Sequence, residues 1–419
     1  MRSIRFARRS MPDGSTPYAR LGDGPAARGG LTGSAGNAGS GGRAAGIASA
    51  GRSAASVRAL VVDTLRDPAG VVRLPPRDLD LLLRLLRRAQ LLARVGWQLR
   101  EAGLLESLPR AAADQLVGAL ALAEAQRRAA LWEVDRIVHA LRDDPPQPLV
   151  VLKGCAYALA ELPNARGRLF ADVDLLVARA QLESVEARLL DRGWVGEELV
   201  EHDDRYYRAW SHELPPIRHA ERDVEVDLHH NIVMATGRAK PDARLLLADA
   251  RALPGTTLHV LSPVDTVLHA MAHLMAGSAL ADALRELVDI DQLLRHFSAN
   301  EPGFWESLWP RAEALDLARP AFHALRQTQR LLGTPIPPEV LAAAHRAAPP
   351  APLVAVADRL MPLALFPFPP DRPARAAQAA RTLLFLRSHW IRMPATMLAR
   401  HLANKQWRRW RPEAPQRDR

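Results

Sequence analysis

Apolar residues recur three and four positions apart along most of the chain, and one interval breaks that rhythm. "LPPRDLDLLLRLLRRAQLLARVGWQLREAGLLESLP" has helical spacing throughout; Pro75 and Pro76 open one helix, and Gly103 and Pro109 punctuate the turns that follow. "AADQLVGALALAEAQRRAALWEVDRIVHAL" predicts one long helix that stops at "DDPPQP". From there to about residue 235 the texture changes. "PLVVLKG" reads as a short buried strand ending in glycine, and "CAYALAEL" as a short helix closed by Pro163. "ADVDLLV" reads as a second strand, and "QLESVEARLLDRG" as an amphipathic helix with Gly193 at its C-terminus. "RYYRAW" and "RDVEVDLHH" alternate as antiparallel strands do. From about residue 261 to the end the pattern is helical again.

These elements predict an α+β fold, with a small mixed sheet flanked by helical N- and C-terminal regions. We place the boundaries at 1–54 (a Gly/Ser/Ala/Arg-rich extension), 55–145 (helical), 146–255 (α/β core), 256–400 (helical) and 401–419 (a basic tail). The extension has too few large apolar side chains to offset its ordering entropy, so it is expected to be disordered. It is Arg- and Ser-rich and acid-poor, as transit peptides are, but a plain flexible extension is the simpler reading.

Composition adds limits. The 419 residues leave room for two or three domains, 48% are apolar and only 5% aromatic. The net charge of +10 permits anionic partners without naming one. Cys155 is the single cysteine, which rules out an internal disulfide and suggests a reducing, cytoplasmic setting. No apolar run is long enough to span a bilayer.

The chemistry concentrates in "GRLFADVDLLVARAQ". Asp172 and Asp174 flank Val173 inside an apolar run. Side chains two apart on a strand share a face, with Cα atoms about 6.6 Å apart. Two carboxylates so placed repel each other, and a shared divalent cation would relieve them. In "VEVDLHH", Glu225, Asp227 and His229 share a strand face. If that strand lies beside the first, Asp227 completes a three-carboxylate cluster of the kind that holds two metals about 3.5–4 Å apart. Upstream, Lys153 and Gly154 end a strand and enter a helix, a turn that can offer backbone N–H groups to a phosphate.

A glycine-led turn into a helix, a strand with D-x-D and a strand with a third acid resemble the polymerase-β-type nucleotidyltransferase core. More closely, "VLKGCAYALAEL…GRLFADVDLLV…VEVDLHH" is similar to a bacterial family of uncharacterised nucleotidyltransferases, and the resemblance covers about 75 to 300. It implies that Asp172, Asp174 and Asp227 are catalytic and bind Mg²⁺ (or Mn²⁺). It also implies that Lys153, Gly154, Cys155 and Arg168 hold the nucleotide. Cys155 stands where the broader superfamily often has serine.

Other features have plainer readings beside functional ones. His229 lies on the acid face and is a candidate for the acceptor side, as is Asp289 in "ADALRELVDIDQLL". His269 and His273 are four apart on a helix, but no general-base acid lies between them. Trp407 and Trp410 among the tail arginines could touch nucleic acid or a membrane, yet a solvated terminus is the simpler reading. The expected activity is transfer of a nucleoside monophosphate from an NTP to an acceptor: a small molecule, a glycan precursor or a peptide, with nucleic acid disfavoured. The rivals are a metal-dependent D-x-D glycosyltransferase and a non-catalytic nucleotide-binding protein on the same fold.

Overall fold

A computed structural model describes residues 54–196, 208, 210–222, 224–277, 283–369 and 374–392. The extension before Ala54 and the tail 401–419 lie outside the described residues. The N-terminal helices are α1 (Ala54–Arg66), α2 (Pro76–Arg88), α3 (Leu92–Glu101) and α4 (Arg110–Leu141). The α/β part follows as β1 (Leu149–Val151), α5 (Lys153–Leu159), β2 (Asp172–Leu176), α6 (Leu182–Asp191), β3 (Trp194–Gly196), β4 (Ile217–His219) and β5 (Glu225–His229). A short helix α7 (Ala243–Ala248) leads to β6 (Arg251–Ala252) and β7 (Leu258–Val260). The chain then runs through α8 (Pro263–Ala276), α9 (Ala283–Asn300), α10 (Phe304–Ala314), α11 (Ala318–Leu332), α12 (Pro338–His345), α13 (Ala351–Leu365) and α14 (Arg375–Arg392).

The seven strands form one mixed sheet in the order β3-β4-β5-β2-β1-β7-β6, so the fold is α+β as expected. Its centre is apolar because central strands are covered on both faces: Val150, Val151, Val173, Leu175, Val226 and Leu228 are all buried. β2 runs antiparallel to β1 and parallel to β5. β7 joins β1 in parallel, which carries the sheet to Val260, past residue 255. Of "RYYRAW", Arg208 and Trp210 are helical and the other residues lie outside the description, so the expected strand is not seen there. β3 and β4 supply the antiparallel edge instead.

Buried ion pairs tie the elements together. Glu133 of α4 accepts from Arg222, in the β4–β5 turn, at 2.6 and 3.1 Å. Asp265, in the first turn of α8, accepts from Arg311 of α10 at 2.7 and 2.8 Å. Asp289 of α9 joins three parts of the chain. Arg94 of α3 reaches its Oδ1 at 3.1 Å, and Arg168, in the loop before β2, donates to its Oδ2. Arg94 also donates to the Asn164 carbonyl and to Gln292. Burial pulls Arg94 down to about 10 despite the attraction of Asp289. Two glycines make this crossing possible. Gly167 has φ 65°, and a Cβ there would lie 2.6 Å from the Ala93 carbonyl oxygen and the Arg94 Cα. At Gly154 a Cβ would meet Arg168 Nε at 3.1 Å and the Phe170 ring at 3.4 Å.

Removing the charge of Asp289 leaves two buried guanidiniums facing each other. Asp289→Asn is therefore expected to lower stability by about 3–5 kcal/mol, the range for breaking a buried pair. Urea unfolding measures it; a midpoint like that of the parent protein would show that the crossing is not an anchor.

Candidate active site

The sheet register brings the acids together. Across the parallel β2–β5 pair, Asp172 faces Glu225, Asp174 faces Asp227, and Leu176 faces His229. Like charges side by side on neighbouring strands repel. Glu225 is relieved by Arg218, its cross-strand partner on β4, so it is not the third acid of the site. Asp174 is relieved from two sides: Lys153 Nζ lies 2.6 Å from its Oδ1, and His229 Nε2 lies 2.9 Å from the same oxygen. Burial alone would raise the pKa of Asp174, but Lys153 and His229 hold it well below the usual carboxylate range. Lys153 is raised in turn: burial opposes its charge, and Asp174, Asp172 and Glu213 outweigh burial.

Among the described residues, no hydrogen bond or ion pair reaches the carboxylates of Asp172 and Asp227. Both are pushed up, Asp172 by burial and then Asp174, Asp227 by burial and then Asp174, Glu213 and Asp172. This is a cluster short of positive charge. Ligand atoms of Asp174, Asp227 and His229 all lie within 4.8 Å of one another. Carboxylate oxygens dominate the set, with Asp172 one pleat along the same face, and they fit a hard divalent cation such as Mg²⁺ or Mn²⁺.

Lys153 reaches Asp174 from an unusual backbone. It is the first residue of α5 and has φ 47°, a conformation that costs roughly 1–3 kcal/mol in a non-glycine residue. The neighbouring positions do different work from that expected. Cys155 is buried, and its thiol donates to the Asp172 carbonyl at 3.6 Å; burial and Asp174 push its pKa up. It therefore offers no side chain to a phosphate. Arg168 is buried, paired with Asp289 and stacked 5.5 Å from the Tyr157 ring, so its guanidinium is committed inside the protein. Gly154 gives Arg168 and Phe170 room to pack. Asp289 sits between two arginines and has no free proton-accepting edge for an acceptor hydroxyl. His273 Nδ1 lies 3.2 Å from Glu286 Oε2, and no metal-ligand group includes His269 or His273 among the described residues.

Two residues escaped the sequence reading. His212 and Glu213 precede β4, and Glu213 forms a β-bridge with His229 that brings both beside the acids. Their only signal was the polar pair in "SHELPP", without periodicity to place it. Together with Lys153 and Asp227 they line a cleft of about 850 Å³. Its other walls are largely apolar, including Ile232, Met234, Leu317, Leu353, Leu360 and Trp390, with Arg238, Arg319 and Arg387 among them.

Residues 75–333 match the model of a family described as uncharacterised nucleotidyltransferase. No curated protein and no solved structure matches the chain. No helix among the described residues is long and apolar enough to cross a membrane.

Two outcomes follow from the charge deficit. Lys153→Met removes the one ammonium among the acids and is expected to destabilise the metal-free protein by roughly 3 kcal/mol, the low end for a buried pair because Lys153 is partly exposed. Mg²⁺ should then raise the melting temperature more in the variant than in the parent; equal shifts would separate Lys153 from the cation site. The second outcome is a pH dependence. Asp172 and Asp227 are raised in the folded, metal-free state, so that state binds extra protons and loses stability as pH rises above the unfolded carboxylate value of about 4. A cation must displace those protons, so the melting shift given by Mg²⁺ should grow from mildly acidic to mildly alkaline pH. A shift that is flat or falls with pH would contradict the raised values.

Proposed function

The chain belongs to the uncharacterised nucleotidyltransferase family, and on that premise we propose that it transfers a nucleoside monophosphate from an NTP to a hydroxyl-bearing acceptor. The observation that carries this reading is the parallel pairing of Asp174 with Asp227, with Asp172 beside them and too little positive charge to balance the three. Asp172, Asp174 and Asp227 would hold Mg²⁺ (or Mn²⁺). Bound there, the ions would neutralise the acids and stabilise charge on the phosphoryl group being transferred.

The residues of the chain have separate tasks in this reading. Lys153 lines the cleft and has N–H groups beyond the one aimed at Asp174, so it can donate to a phosphate oxygen of the NTP. Asp227, also in the cleft wall, accepts the hydroxyl proton of the acceptor at its carboxylate. The acceptor oxygen then bonds to the α-phosphorus, the bond from that phosphorus to the bridging oxygen breaks, and pyrophosphate leaves with the electron pair. Gly154, Cys155 and Arg168 act at one remove, by fixing the turn that carries Lys153. The cleft volume falls in the range of about 300–1,000 Å³ typical of small-molecule sites, which favours a small acceptor or a small head group over a duplex.

The test uses α-labelled NTPs, Mg²⁺ or Mn²⁺ and host-cell extract. Label should pass to an acceptor with release of pyrophosphate, and Asp174→Asn should reduce the transfer at least about 100-fold. Release of a nucleoside diphosphate from a nucleotide-sugar would instead mark a glycosyltransferase. NTP binding with no transfer to any acceptor would mark a binding protein.

A further inference from the structure

His229 faces two ways. Its Nε2 lies 2.9 Å from Asp174 Oδ1. Its Nδ1 is buried, makes no hydrogen bond among the described residues, and lies 3.4 Å from Glu213 Oε2. His212 approaches the same oxygen: its Nε2 is 3.4 Å from Glu213 Oε2, and the two imidazole rings are 5.3 Å apart. Burial, then His229 and Lys153, lower the pKa of His212 well below its usual value, which leaves it neutral.

We propose that His212, Glu213 and His229 form a second cation site, separate from the three aspartates, that takes a transition metal of the zinc type. Ligand atoms from all three residues lie within 4.8 Å of one another. The two 3.4 Å separations match the edge of a tetrahedron whose metal–ligand bonds are about 2.0–2.1 Å, the length of zinc bonds to imidazole and carboxylate. Two imidazoles and one carboxylate suit Zn²⁺ and its neighbours, whereas Mg²⁺ prefers oxygen alone. Asp174 supplies the outer support: a carboxylate accepting the other ring N–H is the usual way a metal-bound histidine is oriented.

The backbone holds the three residues in place without help from the ion. Glu213 bridges to His229, Leu214 N–H donates to the Leu228 carbonyl at 2.9 Å, and His230 N–H donates to the His212 carbonyl at 2.9 Å. Three protein ligands leave a fourth position for water or a cleft ligand, the arrangement of zinc sites that bind exchangeable groups. His212 and Glu213 both line the cleft, so that position is reachable from it. The proposal does not depend on nucleotidyl transfer.

The test is a titration of the full-length, chelator-treated protein with Co²⁺ in the presence of excess Mg²⁺, read by visible absorption. The expected result is a one-equivalent spectrum of tetrahedral intensity that Zn²⁺ displaces and Mg²⁺ does not. His212→Ala and Glu213→Gln should each weaken Co²⁺ binding at least about 10–100-fold, the loss known for even an outer partner of a metal site. Glu213→Gln keeps the shape of the side chain and so separates loss of a ligand from loss of the fold. Asp172→Asn, which lies outside the three, should keep the spectrum. No absorption in the parent protein overturns the proposal. So does a spectrum lost equally in Asp172→Asn and His212→Ala, which would assign the ion to the aspartates.

Discussion

The carboxylate of Asp289, held between Arg94 and Arg168, fixes the geometry on which the site depends. A charge this deep is tolerated only when it is paired and hydrogen-bonded. Here the pairing joins a helix before the sheet, the loop that feeds β2, and a helix after the sheet. The loop can reach that crossing because Gly167 lets it press on the backbone of α3, and because Gly154 leaves the space that Arg168 fills. The turn carrying Lys153 and the strand carrying Asp172 and Asp174 are therefore braced against the same guanidinium. A break in the crossing would loosen both walls of the site together.

With β2 and β5 so fixed, their parallel register places Asp174 beside Asp227 whatever the electrostatic cost. Lys153 and His229 satisfy Asp174 alone. The remaining two acids are left with raised pKa values and no donor among the described residues. Neighbouring Glu225 shows what a purely structural solution looks like: a cross-strand arginine, Arg218, meets it directly. The sheet could have met Asp172 and Asp227 in the same way and does not. That difference between acids two apart on one strand, Glu225 paired and Asp227 not, is a feature of the described residues that packing alone does not explain.

Much of this was legible in the residues. Period-two spacing put Asp172 with Asp174 and put Asp227 with His229, and a parallel pairing of the two strands was enough to join them. Helical periodicity found the flanking helices because they bury one apolar stripe each. The chain did not reveal where its arginines point. Arg168 stands four residues before the strand and reads as a phosphate ligand, yet its partner lies 121 positions away. Asp289 reads as an acid on a helix face, and only packing shows that the face is interior. His212 and Glu213 belong to no periodic run, and a β-bridge formed by tertiary pairing brings them in. Long-range pairing of charges is the information that periodicity does not carry.

The charge balance has the same explanation. A net charge of +10 invites a search for an anionic surface. Yet Arg94, Arg168, Arg222 and Arg311 are each bound to a buried carboxylate between helices or between helix and sheet. Arg222 and Arg311 each meet both oxygens of their carboxylate, while Arg94 and Arg168 take one oxygen each of Asp289, a forked geometry that suits an interior joint better than a lysine would. The basic composition is thus partly an internal scaffold. Among the described residues, the cleft adds Lys153 beside the acids and Arg238, Arg319 and Arg387 among apolar walls. The cleft thus sets its positive charge among apolar walls and beside the carboxylates, not along a basic face.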